Sequence, residues 1–259
     1  MAGSSLFDLS DKVALITGSS RGIGRAVADA MAEAGAKVVI SGRKAESCQA
    51  AVDELTRQGH AAIGVPCNVS AKDDLRRLTD TTLQTWGRID ILVCNAGINP
   101  VFGPLTSVED SAFDKVMGTN VRSTFWLCNM VIPQMAERRD GAVILMASIA
   151  GLRGNAVIGT YGISKAAEMQ LARNLALEWG PQNIRVNAIA PGIVRTDFAR
   201  ALWEDQERLK RVEAMAPLRR IGQPREIAGI AVFLASAAGS FVTGQTIVAD
   251  GGITIGEAV

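Results

Sequence analysis

One tyrosine and one histidine occur in 259 residues, and that scarcity narrows the chemistry available. Tyr161 stands four positions before Lys165. On a helix, side chains at i and i+4 share a face. A free phenol has a pKa of about 10, and a neighbouring ammonium favours its ionised form. A phenol so tuned can give a proton to a developing alkoxide and recover it in reverse. On this reading Tyr161 titrates below the ordinary value. Ser148 closes the apolar run 142–147, where its hydroxyl could hydrogen-bond a substrate carbonyl oxygen. Taken alone, it could equally cap a helix or turn. Asn120 lies in a helical stretch, 113–130, where asparagine is a poor helix former. Val121, Phe125, Trp126 and Leu127 make that neighbourhood too apolar for an ordinary solvated position. His60 follows Gly59 between a helical and a strand-like segment and reads as a solvated loop residue.

A second group of residues suits a phosphate. The segment Thr17-Gly18-Ser19-Ser20-Arg21-Gly22-Ile23-Gly24 joins an apolar strand to a helix. Glycines there permit a tight turn and let backbone N–H groups approach a pyrophosphate at the helix N-terminus. The same residues spell G-x-S-x-G, the turn that carries a hydrolase serine, but that chemistry needs a downstream histidine base. His60 lies too near in sequence to serve. A Walker loop would end in Gly-Lys-Ser/Thr, whereas Gly24 precedes Arg25. After the second strand comes Ser41-Gly42-Arg43-Lys44, with no acid before Glu46. An acid there would hold a ribose 2′-hydroxyl, whereas Arg43, with Arg21, suits a 2′-phosphate. That pattern predicts NADP(H). Pro191-Gly192-Ile193, with Thr196, and Asn95-Ala96-Gly97 close two further strands.

These residues need a scaffold, and the hydrophobic pattern describes one. Short apolar runs at 13–17, 38–40, 62–65, 89–94, 142–147, 184–189 and 246–248 alternate with helical segments such as 23–33, 44–58, 75–86 and 161–179. Such alternation predicts an α/β fold: one doubly wound Rossmann-type domain over 1–259, about seven parallel strands, and helices on both faces. Ser70, with Asp73 three positions on, reads as a helix start, and Pro224 as the first turn of a helix over 225–234.

Composition removes other classes. Lys plus Arg is 27 and Asp plus Glu is 26, so the net charge of +1 argues against nucleic acid as a partner. No apolar run approaches the ~18 residues of a membrane helix, so no membrane partner is expected. One histidine excludes sites built on several, and the four cysteines show no C-x-x-C spacing, so no metal is expected. Residues 1–12 resemble no secretory leader, and the cysteines read as reduced and buried. A cytoplasmic location is the expectation.

The ordered motifs resemble the short-chain dehydrogenase/reductase family over nearly the whole chain, from Leu9 to about Gly252. The resemblance implies a bound nicotinamide dinucleotide and a homotetramer. It assigns Tyr161 as acid/base, Lys165 as its modulator and a ribose contact, Ser148 as the carbonyl ligand, and Asn120 as anchor of a relay water. It places the cofactor on Gly18, Ser20, Arg21, Gly22, Ile23, Gly24, Arg43, Asn68, Val69, Asn95, Ala96, Gly97, Tyr161, Lys165, Pro191, Gly192, Ile193 and Thr196. Asn68-Val69 departs from the family's usual Asp-Val, although an amide oxygen can still accept from an adenine amine.

Apolar residues near these motifs predict the substrate pocket: Val101, Phe102, Leu152, Ala156, Val157, Phe198, Leu202 and Trp203, with a lid around 193–215. Arg153 and Arg195 are candidate carboxylate clamps. Residues 98–104, 198–205 and 219–222 are similar to NADP-dependent carbonyl and retinal reductases of the family. The expected partner is a small ketone or aldehyde, or the corresponding alcohol. A 3-oxoacyl-thioester (acyl-carrier) reductase is the alternative enzyme. A catalytically silent NADP(H)-binding regulator is the alternative of another class, and the intact Asn–Ser–Tyr–Lys set argues against it.

Overall fold

The computed structural model describes residues 6–256. Seven strands form a single parallel sheet: β1 (Val13–Ile16), β2 (Lys37–Gly42), β3 (Ala62–Pro66), β4 (Ile91–Cys94), β5 (Gly141–Met146), β6 (Ile184–Pro191) and β7 (Thr246–Ala249). Their order is β3-β2-β1-β4-β5-β6-β7. The expected strands are all present. β4 starts two residues later than the apolar run, and the Asp90 carboxylate just before it accepts the Val13 N–H at 2.9 Å.

The helices are α1 (Gly22–Glu33), α2 (Ala45–Arg57), α3 (Lys72–Trp86), α4 (Asp110–Met117), α5 (Ser123–Arg138), α6 (Gly159–Trp179), α7 (Arg200–Trp203), α8 (Gln206–Ala214) and α9 (Pro224–Ala235). The central strands β1, β4 and β5 are buried on both faces, so successive residues feed opposite cores. Ala14, Ile16, Val38 and Ile40 pack with α1, α2 and α9. Leu15, Val39, Val143 and Leu145 pack with α3, α5 and α6. This period of two within continuous apolar runs marks a strand covered twice.

Two helix starts differ in their capping. At α9, Pro224 occupies the first turn, and Gln223 and Glu226 form a reciprocal capping box. At α3 the N-cap position is Ala71, not Ser70. The Ser70 hydroxyl lies 2.9 Å from that of Thr119, and the Asp74 carboxylate holds the Asn68 N–H at 2.8 Å instead. Ser70 therefore braces a neighbouring segment rather than opening its own helix.

Candidate active site

The strand order reverses between β1 and β4, so their carboxyl ends diverge and leave a crevice, the usual ligand position in an open α/β sheet. Asn95 and Thr17 tie its two walls together. The Asn95 side-chain amide donates to the carbonyls of Thr17 and Gly18 at 2.9 and 3.2 Å. The Thr17 hydroxyl accepts from the backbone N–H groups of Asn95 and Ala96 at 3.0 and 3.1 Å. Gly18 and Gly22 adopt φ of +65° and +61°, the left-handed region that disfavours side chains. A Cβ at Gly24 would sit 2.4 Å from Asn95 Nδ2 and 2.5 Å from the Gly18 carbonyl. The turn is thus drawn against the crevice wall, and no side chain caps the N-terminus of α1.

The remaining candidates for a dinucleotide surround this turn. Ser20 stands under the end of β2, where a Cβ on Gly42 would meet its hydroxyl at 2.8 Å. Arg21, Arg43 and Lys44 are exposed. Arg21 lies 4.0 Å from Asp197, an exposed carboxylate. Asn68 is exposed, and its amide oxygen accepts from the Ser70 N–H at 3.2 Å, which leaves a second lone pair. Ile23 and Val69 pack partly into the two cores. Gly192 passes so close to β7 that a Cβ would stand 2.7 Å from Asp250 Cα. Ile193 is pinned by its carbonyl, which accepts from Gly222 N–H at 2.9 Å. The methyl of Thr196 faces Gly22. These residues fit a dinucleotide: a glycine cradle that side chains would fill, an uncapped helix N-terminus, and exposed guanidinium groups beyond it.

The second half of the site is a buried polar network. Between α4 and α5 the helix widens into a π-helical turn, Gly118–Arg122, which carries Asn120. Such turns concentrate at functional sites. Asn120 is fully buried, and both amide N–H groups are donated. Its oxygen accepts from Ile98 N–H at 2.9 Å, and its nitrogen donates to the Ile98 carbonyl at 3.0 Å and Ser164 Oγ at 2.9 Å. Ser164 in turn donates to the Tyr161 carbonyl at 2.7 Å. The Lys165 ammonium is 3% exposed in all. It donates to the Met146 carbonyl at 2.8 Å and to Glu168 Oε2 at 2.7 Å, and lies 5.6 Å from the centre of the Tyr161 ring. Gly97 touches both Asn120 and Lys165, each 3.4 Å from where its Cβ would be.

Ser148 serves as a turn cap, one of the two roles its sequence position allowed. Its hydroxyl accepts the Ala150 N–H at 3.2 Å, capping a short turn, and it stands near enough to the Tyr161 phenol to favour its ionised form. Tyr161 does not follow the expected shift. Its pKa lies above the ordinary phenol value, because burial and the Glu168 carboxylate outweigh the pull of Lys165 and Ser148. Burial likewise pushes the Glu168 carboxyl up to about 7, against the attraction of Lys165. Lys165 would be lowered by burial, but Glu168 and Tyr161 hold it above its usual value.

An apolar side chain stands beside Tyr161. The Phe198 ring centre lies 6.0 Å from that of Tyr161. Gly103 N–H donates to the Val157 carbonyl at 2.8 Å, which draws Val101 and Phe102 alongside Ala156 and Val157. Phe102, Leu152, Ala156, Val157, Phe198 and Leu202 are exposed. Trp203 points elsewhere. It lines an open cleft of about 450 Å³ with Gly22, Arg25, Asp29 and Pro224, its indole donating to the Thr196 carbonyl at 3.0 Å beneath the Arg195 guanidinium. Arg195 is thereby held by that ring, and Arg153 donates to the Ile253 carbonyl at 3.4 Å.

Residues 17–254 match the family model described as enoyl-(acyl carrier protein) reductase. The chain is 43% identical over 244 residues to dehydrogenase/reductase SDR family member 4 of Oryctolagus cuniculus, covering 94% of each protein. The chain belongs to the short-chain dehydrogenase/reductase family. A gluconate 5-dehydrogenase from Burkholderia cenocepacia, solved with NADP and tartrate, shares 35% identity at a TM-score of 0.92, with 97% of this chain and 98% of that one covered. A 7α-hydroxysteroid dehydrogenase, solved with NADH and 7-oxo glycochenodeoxycholic acid, shares 36% identity at a TM-score of 0.91, with the same coverage.

As a short-chain dehydrogenase/reductase the protein is an oxidoreductase acting between CH–OH and C=O groups. Its site contains residues that motif reading passed over. Gly151 and Gly162 let the Ser148 turn close onto α6, since a Cβ on either would stand 2.6–2.7 Å from backbone atoms. Glu168 was visible as a carboxylate in the apolar run Ala166-Ala167-Glu168-Met169, three residues after Lys165. That spacing places it on the lysine's own helix face.

Proposed function

We propose that this short-chain dehydrogenase/reductase uses NADP(H) to interconvert a carbonyl and a secondary alcohol on a mostly apolar small molecule. The observation that carries the reading is the Ser148–Tyr161–Lys165 grouping at the strand ends, opening onto exposed Phe102, Leu152, Val157 and Phe198. When bound, the nicotinamide supplies or accepts the hydride. Ser148 orients the carbonyl oxygen through a hydrogen bond. Tyr161 keeps its proton at neutral pH and gives it to that oxygen as the alkoxide forms. Lys165 places a buried positive charge beside the phenol. Asn120, with both amide N–H groups donated, holds Gly97 and Ile98 against that lysine, and a relay water would use the remaining lone pairs of its oxygens.

The glycine turn with Ser20 and Ile23 would hold the pyrophosphate, Asn68 and Val69 the adenine, Asn95–Gly97 the ribose, and Pro191–Ile193 with Thr196 the carboxamide. Arg43 and Arg21 would recognise the 2′-phosphate. The absence of an acid before Glu46 favours NADP(H), and the gluconate 5-dehydrogenase solved with NADP supports it. The segment 193–215, carrying Phe198 and Leu202, would close over the substrate.

The test is initial-rate consumption of NADPH, with NADH in parallel, over aliphatic, aromatic and dicarbonyl ketones and acetoacetyl thioesters. Turnover of free ketones with NADPH, lost in Tyr161→Phe, is the expected result. Turnover of thioesters alone would replace this reading with acyl-carrier chemistry, which the family model's description favours. Phe125 on α5 and Ile163 and Leu177 on α6 are exposed, and we infer that copies associate through these helices as a tetramer. Light scattering at micromolar concentration should give the mass of four chains.

A further inference from the structure

A buried carboxyl group lies beneath the candidate acid. Glu168 is fully buried on α6, one turn beyond Lys165, with Oε2 at 2.7 Å from the ammonium and Oε1 at 3.5 Å from the Thr124 hydroxyl of α5. A buried carboxylate is costly to maintain and needs a reason or a partner. An ammonium has three donors. Here two of them are spent on Met146 and Glu168, both below the sheet end, so one remains for the crevice. The titratable groups facing this pair are Tyr161 on α6 itself and Cys94 at the end of β4, with Cys128 of α5 beside Cys94. Each thiol is buried, and Cys94 titrates well above the ordinary range because of the Cys128 thiol and burial, so it carries no charge near neutrality. The charge balance under Tyr161 is therefore decided by Lys165 and Glu168 alone.

We propose that Glu168 is a positioning residue that sets the acid strength of Tyr161: it anchors the Lys165 ammonium and cancels most of its field at the phenol. The pair presents Tyr161 with a dipole rather than a free cation. Tyr161 then holds its proton through neutral pH, as a donor to a nascent alkoxide must. When Glu168 takes up a proton, Lys165 becomes an uncompensated cation and the phenol becomes more acidic. The carboxylate thus biases the site toward reduction and against alcohol oxidation, where the phenolate must act as base. This rests on Tyr161 being the acid proposed above.

The lone tyrosine makes a direct test possible, because its ionisation can be followed by tyrosinate absorbance with no other phenol present. In Glu168→Gln, which keeps a hydrogen bond to Lys165 but no charge, the Tyr161 midpoint should fall by about one pH unit or more. The acidic limb of the alcohol-oxidation profile should move down with it. Glu168→Asp, which restores the charge, should return both toward wild type. If the glutamine variant does not accumulate folded, Glu168→Leu carries the same test without a buried amide. A phenol that titrates unshifted in the folded, uncharged variant overturns the proposal. The absorbance readout does not depend on turnover. Failure of the reductase reading would instead appear as activity surviving in Tyr161→Phe.

Discussion

The two halves of the crevice are built on opposite plans. Around the glycine turn, backbone carries the design: Gly18, Gly22 and Gly24 clear space, and Arg21, Arg43 and Lys44 extend into solvent. Around Tyr161, side chains carry it. Asn120, Ser164, Lys165 and Glu168 are buried and bonded to one another or to main chain. The first half has its shape determined but leaves its polar groups to be completed by a ligand. The second is mostly paired within the protein, so its electrostatics are those of a fixed environment, which is where such groups act most strongly on a reacting proton.

Substitutions should separate the halves. Tyr161→Phe removes the proton donor while leaving the ring, and turnover should fall by about 10²–10⁴-fold with NADPH binding retained. Loss of binding instead, seen by fluorescence titration, would mean the halves are not independent. Gly24→Ala forces a methyl to within 2.4 Å of Asn95, which should destabilise the fold by about 1–3 kcal/mol and weaken NADPH. Thermal denaturation and NADPH titration check both effects. Arg43→Ala should cost NADPH about 1.5 kcal/mol, roughly tenfold in Kd, and leave NADH unchanged. Equal losses for the two cofactors would take Arg43 out of the phosphate contact.

The smallest effect lies outside both halves. Glu226→Ala breaks the capping box of α9 and should lower stability by about 1 kcal/mol. Arg220 and the Gln223 N–H hold the Glu226 carboxyl down to about 2. Its folded value therefore lies below the ordinary 4.5, so its contribution is present above that pH and is lost as pH falls toward 2. Denaturation curves at pH 7 and pH 3 should show the variant's deficit shrinking. Glu168 has the opposite sign, since its value is raised: its ionisation should erode stability as pH rises from about 4.5 toward 7.

Much of this was legible in one dimension. Continuous apolar runs bounded by glycine, proline and polar residues can only be strands of a sheet covered on both faces, and all seven expected strands occur. The residue types at Gly18–Gly24, Ser148, Tyr161 and Lys165 suit their chemistry in any fold that gathers them, and this one does. Where prediction failed, the deciding contact came from far along the chain. Ser70 meets Thr119, 49 positions on, rather than its own helix.

The sequence by itself determined the alternation of strands and helices, the glycine turn, the basic residues after β2 and the pairing of Tyr161 with Lys165 one helical turn on. These depend on local sterics and on side-chain type. Only the tertiary structure decided the sign of the Tyr161 shift. That sign is a balance of burial, Lys165 and Glu168, and burial is a property of everything packed around a residue rather than of the residue itself.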